Sequence, residues 1–255
     1  MRPSDNGATD PNLKAKPSFV IVSLLGLSFF GLAIIPLLSS SASTSEYGMT
    51  SRKPIVGGAF AAVLVFGILA GIYPSKCSGV FHFGKARQEG SPQAVSQLPE
   101  EDLRLQGHHP DCGSFNAHIF RIGTRFYCAG CVGLILGAVL SLTGALVYFF
   151  AQISIAGGSP LIFWTGIAGV CCGLLQYHLF DFGKSSIHML VNTLFVFSVF
   201  ILLLWADSVS HNFAIDIYLI ALSIFWLYTR ILLSRFDHEE TCSSCDVRTC
   251  TFLTR

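Results

Sequence analysis

A chain of 255 residues that is 52% hydrophobic and only 12% charged cannot clothe a water-soluble globule, because an average soluble domain carries about twice that charged share. Its formal net charge of +1 offers no basic field for nucleic acid, and no DNA- or RNA-binding motif is present. The apolar residues come in long, nearly charge-free blocks rather than at periods of 2 or 3.6, which predicts an all-α, polytopic transmembrane helical bundle with the lipid bilayer as its first partner.

Residues 1–18 are polar, hold Pro3, Pro11 and Pro17, and read as a solvated N-terminal segment. The first apolar block runs from Phe19 to Leu38 and is followed by Ser39-Ser40-Ser41-Ala42-Ser43, a stretch with the small residues of a signal-peptidase site. A secretory apolar region is about 7–15 residues long and follows a basic start, whereas this block is longer and its lead-in contains Asp5 and Asp10; a retained span is expected. A second block, Ile55 to Tyr73, completes a two-helix hairpin over residues 19–73. Residues 74–131 form a loop whose stretch 85–107 mixes both charges with Gly and Pro.

Four more blocks, Val132 to Ile155, Pro160 to Phe180, Ile187 to Ala206 and Phe213 to Leu233, predict a four-helix transmembrane domain over 132–233, with a Cys-rich tail at 234–255. Only the last block carries formal charge, Asp216 and Arg230, near its ends where snorkelling to the interface is expected. Small-xxx-small patterns at Gly67–Gly71, Gly133–Gly137 and Gly169–Gly173 suit close helix approach. No internal repeat of about 20 to 50 residues is visible, nor an inverted symmetry of the transporter kind.

Six spans put both termini, the 74–131 loop and the turn near Lys184 on one side. Of the 16 Lys and Arg, only Arg52 and Lys53 fall on the other. The positive-inside rule therefore predicts a cell-membrane protein with cytoplasmic N- and C-termini.

That orientation governs the nine cysteines, seven of which fall on the cytoplasmic side, where thiols stay reduced. Reduced cysteines clustered with histidines favour a tetrahedral metal, zinc before iron. One cluster is His108, His109, Cys112 and His118, completed by the Cys-x-x-Cys pair Cys128 and Cys131 just before the third span. The other, after the last span, is His238, Cys242, Cys245 and Cys250. Both lie at the same membrane face, so two ions, or one ion shared between the clusters, fit the spacing. A redox role for Cys128 and Cys131 is an alternative, since thiolates at a helix N-terminus are stabilised by the helix dipole, but no thioredoxin-like βαβ pattern surrounds them. Neither Cys-x-x-Cys continues into His, so neither carries the signature of covalent c-type haem attachment.

Within the spans, Cys172 and Gln176 are four residues apart, as are His188 and Asn192, so each pair shares a helical stripe; with His178 they outline a polar pocket near the cytoplasmic ends. Interhelical hydrogen bonding is the plainer role for such residues.

Gly107-His108-His109-Pro110-Asp111-Cys112-Gly113-Ser114-Phe115, followed by Cys128-Ala129-Gly130-Cys131-Val132-Gly133, resembles the signature of an uncharacterised prokaryotic family of membrane proteins: Cys-His-Gln-x-Pro-x-Arg-Ser-Phe, then Cys-x-Arg-Cys-Thr-Gly entering a helix. His108, Ser114, Phe115, Cys128, Cys131 and Gly133 match; the leading Cys is Gly107 here. Cys172-Gly173-Leu174-Leu175-Gln176 is similar to that family's Asp-Gly-x-x-Gln, with Cys172 in the Asp position. The resemblance covers about residues 105–205. It implies a membrane protein bearing a metal site and supplies no activity.

Three functions follow as expectations. Structural zinc could order the loop and tail into a platform that docks a cytoplasmic protein partner, with a homo-oligomer left open. An ion with an open position near His118, His188 or Gln176 could instead activate water, making a metal-dependent enzyme. The polar stripes could also pass an ion or small solute, though few ionisable residues lie within the spans.

Overall fold

A backbone in hydrocarbon has no water to bond, so an apolar stretch must satisfy its own N–H and C=O groups, and the helix does this within one segment. The computed structural model describes residues 11–41, 52–72, 105–106, 109–110, 115–151, 159–179 and 184–243. Its six long helices are α1 (Pro11–Ser41), α2 (Arg52–Ile72), α3 (Ala129–Ala145, continued by a π-helical turn Leu146–Phe150), α4 (Pro160–Leu179), α5 (Ser185–Ser210) and α6 (Phe213–Ser243). All six are long and apolar enough to cross a membrane. Two short antiparallel pairs precede α3: β1 (Leu105–Gln106) with β2 (His109–Pro110), and β3 (Ile119–Ile122) with β4 (Arg125–Cys128). Phe19, Phe30, Leu37, Phe66, Leu161 and Trp164 stand exposed on the outer surface, as lipid-facing side chains should.

Helix α5 lies between α3 and α4, and glycines on both neighbours let it come close. A Cβ on Gly137 would stand 2.7 Å from the Thr193 carbonyl oxygen, and one on Gly133 would collide with the Met189 carbonyl. On the other side Gly169 and Gly173 face Ser198 and Phe195 with no room for a Cβ. The small-xxx-small patterns of these two helices thus face α5, and close contact allows the Thr193 hydroxyl to donate to the Gly133 carbonyl at 3.1 Å. On the periphery α1 leans on α6, where Tyr218 donates to the Gly31 carbonyl (2.9 Å) and the Trp226 indole to that of Ser28 (3.3 Å).

Two departures from regular geometry shape one end of the bundle. The π turn after α3 carries Tyr148 and Phe149, both buried. Between α5 and α6, His211 adopts a left-handed conformation (φ 46) and Asn212 accepts the Ala214 N–H at 2.9 Å, starting α6 after two residues. This tight turn sets Asp207 opposite Asp216.

Several boundaries differ from those expected: α1 begins at Pro11, so residues 11–18, read as part of a solvated N-terminal segment, are helical, and α2 and α5 start two or three residues early. The third span starts at Ala129, so Cys131 lies in its first turn rather than before it, and it ends at Phe150 where the π turn closes. Helix α6 continues past Leu233 to Ser243, carrying His238 and Cys242 on the helix itself. Asp216 and Arg230 do not snorkel: they are 0% and 2% exposed and turn into the bundle, where each finds polar partners.

Candidate metal centre

The end of the bundle at the α2 C-terminus and the α3 and α5 N-termini is built around His118. Residues Phe115–His118 make a turn closed by the His118 N–H on the Phe115 carbonyl (2.9 Å), and the β3–β4 hairpin then returns the chain. Gly123, at φ +61, makes the left-handed step this return needs. The Ala129 N–H bonds the His118 carbonyl at 2.8 Å, fastening the histidine beside the start of α3.

There Cys128 is the N-cap residue of α3 with an extended backbone, and Cys131, one turn on, hydrogen-bonds to its thiol. The His118 ring stacks on that of His188, 4.8 Å away in the first turn of α5, and meets His238 of α6 edge-on at 5.6 Å. Phe115, 3% exposed, closes the group from above, its ring 5.9 Å from His118 and 5.4 Å from His238.

Donor atoms of His118, Asp237 and His238 lie within 4.8 Å of one another. Two ligand atoms each about 2.1 Å from a tetrahedral ion are about 3.4 Å apart, so modest side-chain rotations bring the three onto one cation. Two imidazoles and a carboxylate suit zinc or ferrous iron. Hairpin and helix end would then be joined through the ion.

Behind this group a cavity of about 470 Å³ runs into the bundle. His118, Cys131, His188, His238 and Arg235 line its outer end; Phe60, Leu64, Leu134, Ala138 and Val199 line the inner part. Between them lie Asn192 and Arg230. The Arg230 guanidinium donates through Nε to Asn192 Oδ1 (3.0 Å), through one Nη to the same oxygen and through the other to the Gly173 carbonyl, with the Phe195 and Tyr177 rings 5.1 and 5.3 Å from its centre.

No family model, curated protein or solved structure matches this chain.

Of the residues expected at metal sites, His118, Cys128, Cys131 and His238 come together here, and His188 joins them from the supposed intramembrane pocket. His108, Cys112, Cys245 and Cys250 lie outside the described residues, and of His109, His178 and Cys242 only the backbone is described. Cys172 is exposed on the bundle surface, whereas Gln176, its supposed stripe partner, is 1% exposed; the two do not share a pocket wall. Asp237 and Arg230 were not expected. An acid adjacent to a histidine fits no helical ligand spacing, because neighbours on a helix point about 100° apart. Only the approach of His118 from another part of the chain makes Asp237 a ligand candidate.

Proposed function

We propose that this chain is a multi-pass cell-membrane protein whose cytoplasmic face holds one transition-metal ion, zinc before iron, on His118, Asp237 and His238. The observation that carries this reading is the convergence of the three donor groups from two distant parts of the chain. In this reading the ion is shared between the two sequence clusters, since His118 comes from one and His238 from the other. The cytoplasmic assignment rests on the Lys and Arg bias between the two faces.

Structural zinc sites are closed by four protein ligands, whereas working sites keep a position open. Three protein donors beside a cavity favour the working kind: a metal-dependent membrane enzyme in which the ion polarises a water or a substrate oxygen. A second reading has its own support, since the adjacent Cys128 and Cys131 thiols offer sulfur that would close the shell and make the site a structural clamp for a partner-docking platform.

The test is metal content of detergent-purified protein, with X-ray absorption at the metal edge. Near one ion per chain, lost in Asp237→Ala and His238→Ala but kept in Cys172→Ser, is expected, with nitrogen and oxygen scatterers. Sulfur in the shell favours the clamp, and wild-type protein without metal under metal-replete expression overturns both.

A further inference from the structure

Among the described residues Arg230 is a buried cation without a counter-charge. It is 2% exposed, and its hydrogen-bond acceptors, Asn192 Oδ1 and the Gly173 carbonyl, are both neutral. Among the described residues no carboxylate forms an ion pair with it; the buried aspartates Asp207 and Asp216 pair with Arg52 instead. The nearest acid further along α6, Asp237, lies two helical turns on, about 10 Å along the axis. A guanidinium taken out of water is costly unless an opposite charge comes with it. Three of its N–H groups are engaged, which leaves about two of five for a further acceptor.

Arg230 also lines the cavity, and the cavity is amphipathic along its length. From Arg230 to Ser223 at the inner end, α6 rises roughly 10 Å at 1.5 Å per residue. One leaflet of bilayer hydrocarbon is about 15 Å deep, so the space inward of Arg230 suits a medium-length chain rather than a full lipid tail. The volume of about 470 Å³ is within the range of ligand sites. Phe60, Leu64, Leu134 and Val199 can take an apolar tail, while Arg230, and Arg235 at the outer end, face the head.

We infer that the cavity binds a single-tailed amphiphile with an anionic head, a carboxylate or a phosphate, its tail among α2, α3 and α5 and its head on Arg230. The head then lies below His118 and His238, so the inference names the ligand class of the proposed metal centre; it rests on that reading only for the chemistry and not for the binding.

The test uses the full chain in a neutral detergent, with radiolabelled decanoate as probe and monodecanoin as the neutral comparison of equal tail. Decanoate should bind at least about tenfold more tightly than monodecanoin. Decyl phosphate should displace it, which marks the head as any anion, and inorganic phosphate at equal concentration should not, which marks the tail as required. Asn192→Asp places a carboxylate on Arg230 and should weaken decanoate at least about tenfold without emptying the helix contact. Gly67 lines the cavity, and a Cβ there would have nothing within 4 Å, so Gly67→Phe should block the tail while the thermal midpoint is held or raised. Equal binding of decanoate and monodecanoin, displacement by inorganic phosphate alone, or wild-type decanoate affinity in either variant overturns the inference.

Each measurement is repeated on chelator-treated protein and on Asp237→Ala. Decanoate binding that survives loss of the metal site supports this inference and leaves the metal reading to its own test. A metal-loaded protein that ignores decanoate overturns the inference while the metal centre stands.

Discussion

Arg52, the first residue of α2, meets Asp207 near the end of α5 at 2.6 Å. Its other Nη reaches Asp216 at the start of α6, and Tyr148 donates to the second oxygen of Asp207 at 2.7 Å. Both aspartates are 0% exposed, and the Lys53 ammonium sits 4.5 Å above the Tyr148 ring. One guanidinium therefore ties α2, the π turn of α3, α5 and α6 at the end of the bundle opposite His118. Removing one partner of such a group leaves buried charge uncompensated, at a cost of about 3–5 kcal/mol. Arg52→Met should accordingly lower the thermal midpoint sharply in detergent. The triple variant with Asp207→Asn and Asp216→Asn should recover much of the loss, because no unpaired charge then remains. A single variant as stable as wild type by thermal scanning would show that the ion pairs do not hold this end.

The glycine contacts make a graded prediction. Gly137 faces the Thr193 backbone, which cannot move without displacing α5, whereas Gly58 on α2 has nothing within 4 Å of a Cβ position. Gly137→Leu overpacks a backbone contact and should cost at least about 1–3 kcal/mol. Gly58→Ala should be neutral or gain a few tenths, since Ala is the better helix former by about 1 kcal/mol. Comparing monodisperse yield and unfolding midpoint of the two variants checks the packing of α3 on α5; equal behaviour contradicts it.

The six helices were legible because membrane thickness fixes a length, and charge-free runs of that length are rare outside membranes. Their ends were less so. Ser234–Ser243 is too polar to read as a span, yet it is helix, because a helix leaving the bilayer needs only ordinary helix formers such as Glu239 and Glu240. His118 and His238 could each be named from cysteine and histidine clustering, but their meeting depends on a hairpin and a helix end packing together, and no local spacing encodes that. Asp216 and Arg230 were visible as charges and misplaced in depth. Hydropathy reports that a charge is present, and only the partner across the bundle, Arg52 in one case and Asn192 in the other, decides whether it turns inward.

The proposed metal site separates ligands from neighbours. His188 stacks on His118 without being one of the three closely placed donors, so His188→Leu should keep bound metal near wild-type stoichiometry. Asp237→Asn keeps shape and removes the negative charge that the cation needs, and should lower metal affinity by at least about tenfold. Competition with a chromophoric chelator measures both. Loss of metal in His188→Leu with retention in Asp237→Asn would move the centre from α6 to α5.

The proposed orientation has a direct chemical test, because the thiols beside His118 lie at one end of the bundle and Arg52 at the other. In intact cells a membrane-impermeant maleimide should leave the protein unlabelled at Cys128 and Cys131, and labelling should appear once the cytoplasmic face is opened by lysis and the metal is removed by chelation. Bound metal and local packing can also shield a thiol, so a cysteine introduced at Asn212, in the turn between α5 and α6, supplies the opposite control. Asn212→Cys should react from outside in intact cells. The reverse pattern, native thiols labelled from outside and the introduced thiol protected, would invert the protein in the bilayer and put the metal centre at the external surface.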